Sequence, residues 1–185
     1  MVGGAYATPQ HLTMSEEWVL GCETADYNQA LTTSAYDSLA KVNPPLRTKK
    51  DAEALLVGLK DGTIDAIATD HAPHALEDKK NSYFYAPSGM PLGQHAMVSL
   101  LEHYHSGIFP LELIVEKTSH AVARLFQLED RGFIREGYWA DLVLIDMDTA
   151  YTVSEGNLLY KCGWSPFTGF TFKSSIYATI VSGHI

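Results

Sequence analysis

Apolar residues along this chain keep two different periods, and the switch between them divides it. Ala52, Leu55, Leu56 and Leu59 fall at helical spacing behind Thr48 and Asp51, which resemble a capping box with Asp in place of Glu. Gly62 ends that pattern, and the apolar run I-D-A-I-A-T at 64–69 suits a short buried strand. Helix, glycine turn and apolar strand make half of a β/α repeat. Residues 94–105 return to the helical period, with Met97, Leu100, Leu101 and Tyr104 on one face, and further helical patterns cover 110–117 and 119–127. Upstream, residues 5–9 read as a strand stopped by Pro9, and Ser15 as the N-cap of a helix running through Leu20. Residues 21–40 are polar and aperiodic, and 75–93 form a loop rich in charge, Tyr, Pro and Gly.

Past residue 128 the character changes to short β-type runs at 141–145, 151–153 and 174–181. The pattern therefore predicts an α/β chain in two parts, a β/α unit over 1–128 and a small β unit over 129–185.

Composition excludes more than it identifies. With 46% hydrophobic and 19% charged residues in 185, the chain can bury a core. A formal net charge of -9 without a Lys/Arg cluster argues against nucleic acid or an anionic membrane as partner. No apolar run reaches the roughly 18 residues of a transmembrane helix. Residues 1–4, M-V-G-G, lack the basic and apolar regions of a signal peptide. Cys22 and Cys162 lack C-x-x-C spacing, so free thiols in a reducing, cytoplasmic compartment are expected, with a disulfide as the minority alternative.

The candidate chemistry sits where the 64–69 strand ends. Asp70, His71 and His74 share its tip, with Pro73 stiffening the turn between the histidines. In barrels of alternating strands and helices such tips carry the active site. A carboxylate there can bind a divalent metal or move a proton, and His74 can donate a hydrogen bond to a substrate carboxylate or carbonyl. An ion-paired turn accounts for the same residues equally well. Pro44 and Pro45 force Asn43 out of the helical region, either as a rigid connector or to aim Asn43, and with it Arg47, at a ligand. His11 divides evenly between structure and function. His95, His103, His105 and His120 read as ordinary residues near exposed or helix-end positions, and His184 as solvated. A catalytic zinc needs at least three protein ligands, so the strand tip alone leaves a metal site incomplete.

Four stretches carry a family resemblance. K-V-N-P-P-L-R at 41–47, D-G-T-I-D-A-I-A-T-D-H-A-P-H at 61–74, W-S-P-F-x-G at 164–169 and the pattern G-x-I-x-x-G-x-x-A-D-L-V-L-I-D at 132–146 are similar to the C-terminal part of the dihydroorotases. The last of these marks only the wider amidohydrolase superfamily. The resemblance implies the last strands and helices of a metal-dependent-hydrolase (β/α)8 TIM barrel over 1–128, then strands of a small β-sandwich over 129–185. It implies one or two zinc ions, with Asp70 as metal ligand and as general base and acid. It implies substrate contacts from Asn43, His74, Ser88 and Gly89, the last two through backbone groups. The implied reaction interconverts N-carbamoyl-L-aspartate and (S)-dihydroorotate in pyrimidine biosynthesis, and the implied partners are the rest of the barrel and further copies in a homo-oligomer.

Departures from the pattern bear on these expectations. The family's H-x-H pair, its bridging Lys or Asp, its further metal-binding histidines and its carboxylate-clamping arginine would all lie upstream of residue 1. The chain is therefore expected to be an incomplete, inactive piece of a larger enzyme. Gln10 stands where relatives commonly read T-P-H-H-L, and Gln94 where they commonly carry Gly-x-Glu. Hydantoinase- or allantoinase-type cyclic amidases, and a non-catalytic dihydroorotase-like assembly subunit, are the alternatives.

Overall fold

The computed structural model describes residues 4–20 and 37–185. Strands β1 (Tyr6–Ala7) and β2 (Ala66–Ile67) lie side by side in parallel, Tyr6 against Ala66 and Ala7 against Ile67. Main-chain bonds carry the pairing one step further each way, Asp65 donating to Ala5 and Ala68 to Ala7, both at 2.9 Å. β2 is shorter than the apolar run 64–69, because its described partner offers no longer an edge. Pro9 does stop β1, and it also opens α1 (Pro9–Thr13), where its missing N–H removes no helical bond.

A right-sized crossover joins the two strands. It contains α2 (Glu16–Leu20), a 3₁₀ turn (Ser38–Ala40) and α3 (Lys49–Asp61). Most of the polar connection expected over 21–40, Cys22 included, lies outside the described residues. The capping box of α3 is formed: the Asp51 amide donates to Thr48 Oγ1 at 3.3 Å and the Thr48 amide to Asp51 Oδ2 at 3.1 Å. Gly62 closes the helix at φ 87°, a left-handed turn that suits glycine.

After β2 come α4 (Leu76–Lys79), α5 (Ala96–His105), α6 (Leu111–Val115), a π-helical turn (Glu116–His120) and α7 (Ala121–Leu125). α4 falls inside the stretch read as loop. The patterns at 110–117 and 119–127 prove to be one continuous helical path through the π turn. From that turn the buried Lys117 donates from Nζ to the Ile64 carbonyl at 2.6 Å, fixing the start of β2. Leu59, Ile64, Ile67, Leu100, Leu101 and Ile114 fuse α3, β2, α5 and α6 into one apolar cluster. Tyr104, read on the same face of α5, is exposed instead.

The C-terminal part holds β3 (Leu142–Asp146) paired antiparallel with β6 (Ser175–Ile180), and β4 (Tyr151–Thr152) with β5 (Thr171–Phe172). β5, absent from the sequence reading, is only two residues long. These pairs stand where the sandwich strands were expected. A second cluster joins the two parts, with Met90, Leu92 and Val98 against Val153, Trp164, Phe167 and Phe172. The fold is α/β.

Candidate functional site

Asp70 follows β2 by three residues and adopts φ 49°. Aspartate tolerates this left-handed conformation better than most side chains, and here it turns the chain sharply off the strand. The carboxylate is exposed, and Gln10 Nε2 approaches Oδ2 at 3.3 Å from the first turns of α1.

His71 is a strut. Its Nδ1 accepts main-chain hydrogen bonds from Leu92 at 3.0 Å and Gly93 at 3.1 Å, so the ring proton sits on Nε2. Tyr160 stacks on the ring with centroids 5.5 Å apart.

His74 reaches the loop that carries Ser88 and Gly89. Its Nε2 lies 3.0 Å from the Ser88 carbonyl, which can only accept, so this nitrogen is the donor. Trp164 Nε1 donates to the His74 carbonyl at 2.8 Å. Gly89 has φ 133°, and a Cβ there would stand 2.6 Å from Ala72 Cβ and 2.9 Å from the Ala72 carbonyl. Only glycine lets the loop press so closely on the D-H-A-P-H turn.

Asn43 is exposed and enters through its neighbours. The Gly89 amide donates to the Lys41 carbonyl at 2.9 Å, and His11 Nε2 donates to the Pro44 carbonyl at 2.8 Å. Thr8 Oγ1 in turn lies 2.6 Å from His11 Nδ1. Thus His74, Ser88 and Gly89 meet directly, Asn43 is tied to them through Lys41, and Asp70 adjoins them through the turn that ends in Ala72.

The model of the amidohydrolase family matches residues 11–185. The chain belongs to the amidohydrolase family. It is similar to the dihydroorotase of Endomicrobium trichonymphae, 38% identical over 183 residues, covering 98% of this chain and 40% of that protein. It is likewise similar to the dihydroorotase of Caldanaerobacter subterraneus, 40% identical over 183 residues, covering 98% of this chain and 38% of that protein. The chain spans about two fifths of the length of these curated relatives. Among solved structures, the L-hydantoinase of Arthrobacter aurescens aligns with a TM-score of 0.79 at 26% identity, covering 97% of this chain and 38% of that one. The dihydropyrimidinase of Brevibacillus agri aligns at 0.80 and 24% identity, covering 98% and 38%, and shows the shared fold.

Among the described residues no group of three or more His, Cys, Asp or Glu could hold a metal ion. Asp70 offers one accessible carboxylate, and His71 Nδ1 is already engaged by two amides. The described residues by themselves do not complete a zinc site.

Two of the histidines read as ordinary residues near exposed or helix-end positions stand at the ends of α5 and are buried there. His95 and His103 are buried, because α5 turns both inward. His95 Nδ1 lies 3.1 Å from Ser165 Oγ and 3.2 Å from the Tyr160 hydroxyl, while its Nε2 has no partner among the described residues. Burial holds its pKa down at about 4 and pushes that of Tyr160 up to about 12. His103 and His105 are an H-x-H pair, where the reading of the sequence as holding none was wrong. They diverge, His103 Nε2 lying 3.3 Å from Thr13 Oγ1 and His105 Nε2 2.6 Å from Ser174 Oγ. Gln94 explains its own departure: Nε2 donates to the Asn157 carbonyl at 2.8 Å while Oε1 accepts from the Leu159 amide at 2.8 Å. A glutamate would set an oxygen against the Asn157 carbonyl. Sequence reasoning noted Gln10 only as a departure from the family pattern and missed Lys79, since their partners lie at least 38 residues away in the chain or on loop carbonyls.

Proposed function

We propose that this amidohydrolase chain is the C-terminal part of a dihydroorotase-like cyclic amide hydrolase. It would act on (S)-dihydroorotate and N-carbamoyl-L-aspartate in pyrimidine biosynthesis. The observation that carries the reading is the hydrogen-bonded convergence of His74, Ser88 and Gly89 with the Asn43 segment, next to an accessible carboxylate at a β-strand tip. The similarity to curated dihydroorotases over 98% of the chain supports it.

In this reading Asp70 moves the proton. Its carboxylate takes one from the attacking water and returns it to the ring nitrogen as the C–N bond of the cyclic amide breaks. The carbonyl carbon leaves as a carboxylate and the nitrogen as the ureido NH₂, so one water is consumed per ring opened. Asn43, His74 and the backbone of Ser88 and Gly89 hold the substrate carboxylate and ring against that proton shuttle. The zinc of the family belongs to the same proposal, with Asp70 as one ligand and the others supplied by barrel residues outside this chain. So do residues 1–128 as barrel, 129–185 as sandwich, and assembly with the remaining barrel in a cytoplasmic homo-oligomer.

A hydantoinase-type substrate is the second reading, favoured by the likeness to the L-hydantoinase structure. Comparing turnover of dihydroorotate with that of a hydantoin and an uncarboxylated dihydropyrimidine, in the complete enzyme, separates the two. Dihydroorotate is expected to be preferred, and a preference for either uncarboxylated ring overturns the assignment.

A further inference from the structure

Lys79 is a fully buried lysine that the proposed chemistry does not use. It ends α4 and directs its ammonium into the loop, where Nζ donates to the carbonyls of Gly89 at 2.8 Å, Pro87 at 3.1 Å and Lys41 at 3.1 Å. Its three hydrogens meet three main-chain acceptors. Two of these flank Ser88, and the third also accepts the Gly89 amide, two residues before Asn43. Its own main chain is anchored too, for Ser38 Oγ donates to the Lys79 carbonyl. Among the described residues no carboxylate bonds to Nζ.

We propose that Lys79 is the positioning residue of the substrate loop, an internal cation that clamps Pro87-Ser88-Gly89 to the Lys41–Asn43 segment. The proposal rests on the reading that this loop and Asn43 touch the substrate. An ammonium suits the task because charge-assisted bonds to carbonyls are stronger than neutral ones, and burial shields them from water. The neighbouring Lys41 extends the same device, donating from Nζ to the carbonyls of Tyr83 at 2.8 Å and Ala86 at 2.7 Å. The Trp164 ring lies 5.8 Å from Lys79 Nζ and covers it from the C-terminal part.

The surroundings also make the clamp sensitive to pH. Burial brings the Lys79 pKa down to about 8, Lys41 pushes it the same way, and Asp37 opposes them. Above that value the neutral amine has two hydrogens for three carbonyls, so one loop contact is lost.

The test is hydrogen exchange of the 88–90 amides together with steady-state kinetics, in the complete enzyme. In Lys79→Met, which keeps length without charge, loop protection is expected to fall and KM for dihydroorotate to rise about tenfold, with kcat within about twofold. In the unsubstituted enzyme, loop protection corrected for intrinsic exchange should fall between about pH 7 and pH 9.5. If Lys79→Met does not fold, this titration decides alone, and flat protection across it overturns the proposal. A folded Lys79→Met enzyme with unchanged loop protection overturns the clamp and leaves the proposed function standing. A loosened loop with unchanged KM instead overturns the reading that the loop meets substrate, and the positioning role falls with it.

Discussion

Gln10 Nε2 stands 3.3 Å from Oδ2 of Asp70, so the helix that follows β1 supplies the partner for the carboxylate that follows β2. The two strands pair in parallel, and each delivers one of these residues to the same end. The contact arises from register alone.

Asp70→Asn tests the proton shuttle. Asparagine accepts the left-handed φ of 49° and nearly the same volume, so the fold should survive. Turnover of dihydroorotate by the complete enzyme should fall roughly 10²–10⁴-fold, the usual weight of a positioned acid or base. A near-normal rate with unchanged circular dichroism would remove Asp70 from the mechanism.

Gln10→Leu should separate stability from activity. Gln10 is buried, and its Oε1 lacks a hydrogen-bond partner among the described residues. Removing that orphan should leave stability unchanged or raise it by about 1 kcal/mol, measured by urea unfolding. The same change frees the Asp70 carboxylate and should lower kcat about tenfold, as losing an orienting partner typically does.

Gly89→Ala tests the close approach of the loop. The new Cβ meets Ala72 at 2.6 Å on a backbone with φ 133°, so the loop must move. We expect roughly 1–3 kcal/mol of destabilisation and a raised KM. Wild-type kinetics and melting in this variant would show that the contact is dispensable.

His95 predicts sensitivity to acid. Its native pKa of about 4 lies below the ordinary 6.5, because burial disfavours the charged ring. Between those values the unfolded chain takes up a proton that the native state refuses. Stability therefore falls as pH drops through this window, by at most about 1.4 kcal/mol per unit from this group. Burial lowers the pKa of His103 in the same direction. His95→Asn keeps a polar atom for Ser165 and Tyr160 but does not titrate. Urea midpoints at about pH 7 and about pH 4.5 should then converge relative to the parent protein.

Some of this was written locally in the chain. The Thr48–Asp51 capping box, the Gly62 stop, a short strand within 64–69 and a helix within 94–105 all follow from periodicity and end signals. They depend on neighbours a few residues apart, which a sequence displays. The D-H-A-P-H and N-P-P-L-R motifs likewise marked the site segments before any fold was known.

Tertiary structure alone decided what those segments do to one another. Whether His95 faces water or an aromatic box depends on where the 164–172 segment packs, 70 residues from its Ser165 partner. That Lys79 is an internal clamp, and that Gly89 must be glycine, depends on loop carbonyls and an Ala72 contact that have no sequence signature. Hydrogen-bond satisfaction and close packing are settled among groups that only folding brings together, so candidate residues could be named from the chain, and the bonds that hold them could not.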